Sequence, residues 1–134
     1  MSDLIDVSHC WVAMSLWLVE ATELFKQALT INPSLVSAHN NLALIYFSNN
    51  PEKAREHFEK ALEIRPEHID ANYNLGLLHV QKNKHKAMQY FQRVIQLSPD
   101  HLGAVFQMAQ CYHADKAYIK AKSLYEKILR IQPN

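Results

Sequence analysis

The chain has 134 residues with 14 Lys plus Arg against 13 Asp plus Glu, a formal net charge of +1. It is long enough to bury a core without disulfides, and it lacks the basic face that a general nucleic-acid binder needs. Only two glycines, Gly76 and Gly103, stand in a chain rich in Leu, Ala, Ile, Lys, Glu and Gln, which excludes a glycine-rich phosphate loop and indicates an all-α protein.

In chain order, the first element is the apolar run WVAMSLWLV at 11–19. It is roughly half the length needed to span a bilayer, and it lacks the positive flank and cleavage site of a signal peptide. No membrane insertion is expected, and helical character continues from Asp3 to Ile31 without a turn residue. Cys10 and Cys111 stand alone, without the paired spacing of a zinc site or a redox dithiol, and read as reduced thiols in a cytoplasmic setting.

Beyond this segment the chain repeats itself. Prolines fall at Pro33, Pro66, Pro99 and Pro133, at intervals of 33, 33 and 34 residues. Twelve residues before each lies an alanine (Ala21, Ala54, Ala87, Ala121), and four after each alanine an aromatic (Phe25, Phe58, Phe91, Tyr125). Upstream of the last three alanines come Leu42-Ala43 with Tyr46, Leu75-Gly76 with His79, and Met108-Ala109 with Tyr112. Each unit therefore reads as two helices, the first ending near a polar break and the second stopped by proline, which pushes the residue before it out of the α region. The small residues are expected to face one another across each pair. Asn50, followed by Pro51 at the first helical position, is a cap candidate; Asn83 and Asp115 are its counterparts. The third break is one residue longer, 9 residues from Tyr112 to Ala121 against 8 from Tyr46 to Ala54.

This pattern resembles the tetratricopeptide repeat, W-x-x-L-G-x-x-Y followed by A-x-x-x-F and then P. His39, Asn72 and Val105 stand where the family has Trp. The resemblance implies a right-handed α-solenoid of antiparallel helix pairs forming a single domain over 1–134. An atypical leading segment at 1–35 precedes repeats at 36–68, 69–101 and 102–134. It also implies a non-enzymatic module that holds a protein or peptide partner without a cofactor.

In the family the first helix of each pair lines a concave groove. The matching residues here are Asn40, Asn41, Leu44 and Phe47; then Asp70, Tyr73, Asn74 and Leu77; then Phe106, Gln107, Gln110 and His113. The face is nearly uncharged, Asp70 being its one fixed charge, and is studded with apolar groups. Asn41, Asn74 and Gln107 fall in register, and each amide offers one acceptor and two donors, the complement of a peptide unit. They resemble the asparagine ladders with which some repeat proteins hold extended peptides; the alternative is that they cap turns or bond across helices. The carboxylate clamp of chaperone-binding members would place its two Lys, two Asn and Arg at Asn40, Leu44, Asn74, Gly103 and Gln107. Only Asn74 fits, so acidic-tail binding is not expected.

The eight histidines show neither HExxH nor i, i+4 spacing, and no metal site or catalytic residue is expected. His68 and His101, two residues past repeat prolines, read as solvated loop residues, and His79 as a hydrogen-bonded interior histidine. KNKHK at 82–86 reads as a solvated turn. The rival to peptide binding is self-assembly, as a dimer, a swapped pair or a filament. It would act through the Trp11/Trp17 segment or through a C-terminal helix whose Ile119, Leu124, Ile128 and Ile131 lack a polar covering unit. A piece of a longer array would carry the same signature.

Overall fold

Every repeat proline within the chain sits just past a helix end. The structure, a computed structural model, describes the backbone of residues 7–133 and the side chains of 11–133. Helix α1 spans Val7–Ile31 as one unbroken element, which decides between the one and two helices that the leading segment left open. Helices α2 (Val36–Tyr46) and α3 (Pro51–Ile64), α4 (Ile69–His79) and α5 (Lys84–Leu97), and α6 (Leu102–Ala114) and α7 (Tyr118–Ile131) follow. Their dominant packing is within these three pairs, and each pair then meets its neighbour through α1 on α2, α3 on α4 and α5 on α6. This is the nearest-neighbour stacking of a solenoid.

The recurring residues form the core. Ala43, Ala54, Phe58, Ala61, Ala71 and Leu75 make one fully buried cluster, and Ala87, Phe91, Val94, Ala104 and Met108 make the next. The alanines let the helices approach, and Phe58 and Phe91, both fully buried, fill the seams of the first two pairs. Gly76 meets an aromatic ring rather than another small residue: a Cβ there would lie 2.5 Å from Phe91 Cε1, so only glycine leaves room for the ring.

The turns divide into two kinds. Asn50 Oδ1 accepts from Lys53 N–H at 3.3 Å and Asn83 Oδ1 from Lys86 N–H at 3.1 Å, with Pro51 at the start of α3. Each such cap stabilises its helix by about 1 kcal/mol. Asp115 does not follow them. The residue before α7 is Ala117, which has no side-chain cap, and Asp115 instead closes α6. Lys116 takes φ 60°, Ala117 N–H reaches Tyr112 C=O and Lys116 N–H reaches His113 C=O. These two hydrogen bonds make a Schellman stop, with lysine where glycine is usual. The extra residue of the third turn is what the left-handed step uses, and Asp115 is freed to pair with Lys84.

His68 and His101 are not solvated loop residues. Their Nδ1 atoms accept from Ala71 N–H at 3.1 Å and Ala104 N–H at 3.0 Å, so each caps the first helix of its repeat. His79 also departs from expectation. It stacks on Tyr90 with ring centroids 5.7 Å apart, and its buried Nε2 has no hydrogen-bond partner. The KNKHK turn is tied down by pairs to both neighbouring repeats, Lys82 to Glu52 at 3.9 Å and Lys84 to Asp115. Being exposed, the first of these adds little.

Candidate functional site

The predicted face runs along α2, α4 and α6. Leu44 and Phe106 stand 47% and 43% exposed, a large share for apolar side chains on helices that otherwise bury theirs. Asp70, Gln110 and His113 are exposed, while Phe47, Tyr73 and Leu77 are half-buried. Asn41, Asn74 and Gln107 are half-buried too, and none of the side-chain hydrogen bonds among the described residues engages them. Asn40 lies deeper, and its Oδ1 is buried without a partner.

Tyr73 has a second task besides facing outward. A Cβ on Gly103 would lie 2.7 Å from the Tyr73 hydroxyl, and the Tyr73 ring sits 4.9 Å from His101 and 5.9 Å from Phe91. The ring thus crosses from α4 onto the start of α6, and burial raises the pKa of its phenol. Phe47 and Leu77, with Pro51, Arg55 and Leu78, line a cavity of about 270 Å³ between adjacent repeats. Arg55 holds one wall by donating to both Glu52 and Glu59.

The structural duty that could have claimed the in-register amides belongs to a different asparagine. Asn72 is buried, and its Nδ2 donates to Pro66 C=O at 3.1 Å and His68 C=O at 2.8 Å, locking α4 to the turn before it. Asn74, two residues on, points to another side of the same helix.

Models of the tetratricopeptide repeat match residues 36–68 and 85–134. The chain belongs to the tetratricopeptide-repeat family. No curated protein matches it. Among solved structures, one described as the crystal structure of MamA superposes with a TM-score of 0.79 at 24% identity, covering 99% of this chain and 77% of that one. A second, of MamA protein, gives a TM-score of 0.74 at 20% identity over 87% of this chain and 64% of its own length. At these identities the likeness shows the fold, a helical solenoid. Tetratricopeptide repeats are protein-interaction scaffolds, and this chain is built as one.

Apolar residues are also exposed on the first and last helices of the array. Trp11, Val12, Trp17 and Val19 on α1 are all about 60% exposed or more, and Ile119 on α7 is 88% exposed. No described helix is long and apolar enough to cross a membrane. Cys111 is buried, and burial raises its thiol pKa; the side chain of Cys10 lies outside the described residues.

Proposed function

We propose that the chain is a non-enzymatic adaptor whose α2–α4–α6 face holds an extended, mostly neutral or apolar peptide. The observation that carries this reading is the division between Asn72 and the in-register amides. Asn72 meets the needs of the fold, whereas Asn41, Asn74 and Gln107 keep their donors and acceptors unspent and half-open. Each amide contact to a peptide unit would add about 0.5–1.5 kcal/mol, so the larger share of affinity comes from apolar side chains set against Leu44, Phe106 and the cavity beside Phe47 and Leu77. Asp70 is the only fixed charge among the predicted contacts, and at the cavity Arg55 is already engaged by Glu52 and Glu59, so a mostly neutral peptide fits this face better than a strongly charged one.

A photo-crosslinking amino acid in place of Phe106 tests the location. It should capture a peptide selected from a random library on the intact chain, and the same group in place of Gln89, exposed on α5, should not. Capture from both positions alike would overturn the assignment of the face.

A second reading, self-assembly, rests on the exposed apolar residues of α1. Residues 11–20 of α1 are exposed on every side, and an apolar helix left so uncovered marks an interaction surface. Light scattering should then give a mass above the monomer that falls when Trp11 and Trp17 are replaced by polar residues. A clean monomer at high concentration counts against it.

A further inference from the structure

Two histidines on neighbouring helices meet at their ring nitrogens. His39 on α2 and His57 on α3 place Nδ1 against Nδ1 at 3.1 Å. His39 is 6% exposed, and its Nε2 lies 2.9 Å from the Pro33 carbonyl. A carbonyl only accepts, so Nε2 of His39 carries the proton and Nδ1 is a lone pair.

The next repeat shows what part of this arrangement the fold requires. Asn72 occupies the same place as His39 and makes the same bond, to the carbonyl of Pro66. That bond is therefore the structural duty of the position. Imidazole fulfils it with one nitrogen and has a second left over, which Asn72 does not. The helix facing it supplies a matching nitrogen from His57, where the following repeat has Tyr90.

We propose that His39 Nδ1 and His57 Nδ1 form a two-histidine site for a late first-row divalent cation, Zn²⁺ or Cu²⁺. Bonds of about 2.0–2.1 Å to two nitrogens at the observed separation enclose an angle of about 95–102°, between square-planar and tetrahedral values. The Pro33 carbonyl is the outer partner that a metal-bound imidazole commonly has, fixing its tautomer and orientation. Tyr46 stacks on His57, ring centroids 6.0 Å apart and 14° from parallel, and holds the second ring. No group of three or more His, Cys, Asp or Glu converges among the described residues, so the protein supplies two ligands and solvent completes the set.

There is room for that. Both rings line a cavity of about 430 Å³ walled by Ser34, Lys60 and Glu63. The Lys60 ammonium opposes a cation, and the carboxylates of Glu63 in the wall and Glu56 near His57 offset it. In the metal-free protein the proton between the rings belongs to His57 Nδ1 and points at His39. Binding replaces that proton, which moves through solvent to His57 Nε2, so no net charge leaves the protein.

The test is a titration of the full chain with Zn²⁺ by calorimetry and with Cu²⁺ by imidazole ¹H–¹⁵N NMR. One Zn²⁺ should bind per chain, and His57→Gln should weaken it at least about tenfold. Paramagnetic Cu²⁺ should broaden the His39 and His57 resonances before those of the other six histidines. Unchanged Zn²⁺ affinity in His57→Gln would overturn the site. So would broadening that begins at His85 or His113, a result read on the unmodified chain and independent of whether the variant folds.

Discussion

Asn72 and Asn74 lie two residues apart on α4 and belong to different regions of the molecule. Asn72 is part of the seam between repeats, buried and bonded to two carbonyls of the preceding turn. Asn74 belongs to the proposed peptide face; it is half-open, and its side chain makes no hydrogen bond among the described residues. One residue type thus stands in two environments because helical geometry turns residues two apart to different sides. At this position the seam consumes the amide donor, whereas on the proposed face the side-chain amides stay available. The same division separates Gly76, pressed against the Phe91 ring, from Leu44 and Phe106, which no core cluster absorbs.

Substitutions at the seam should therefore act on stability, and those on the face should not. The largest effect is expected for Gly76→Val, because its Cβ would enter the space of a fully buried ring. Overpacking of this kind should lower unfolding free energy by about 3 kcal/mol in urea titrations monitored by circular dichroism. A loss below the typical mutational background of about 1 kcal/mol would mean that Phe91 has room to move. Asn72→Ala should come next, at about 2 kcal/mol, since it leaves the Pro66 carbonyl without its side-chain donor. If Asn72→Ala were as mild as a surface change, within about 0.5 kcal/mol, the seam and the face would not differ in the way described.

Much of the seam was legible in the sequence, and little of its polar detail. The spacing of prolines, alanines and aromatics predicted the helix pairs because helix stops and close packing depend on residue size and backbone chemistry at fixed intervals. The Asn50 and Asn83 caps were legible for the same reason, their partners lying three residues on. His68 and His101 cap at that same distance, yet histidine carries no strong capping signal, and they read as loop residues. Asp115 has the composition of a cap but falls in a turn whose extra residue moves the stop onto Lys116, a choice made by φ and not by residue type.

The contact between His39 and His57 joins residues on separate helices, and no spacing rule within one element announces it. The candidate face was legible as a set of positions because the repeat register fixes which side of each helix a residue occupies. Its depth was not. Asn40 lies buried where its counterpart Phe106 stands exposed, since burial depends on how the neighbouring unit is placed.

The inner face is tested most directly by replacing Asn41 and Asn74 together with alanine and measuring, by fluorescence anisotropy, the affinity for a neutral extended peptide selected on the unmodified chain. Two lost amide contacts at about 0.5–1.5 kcal/mol each predict that affinity falls about 5- to 150-fold. Helicity and unfolding free energy should stay within about 0.5 kcal/mol of the parent, as expected for residues outside the seam. Unchanged affinity in the double variant would contradict the account, and so would a loss of binding that merely tracks a loss of stability.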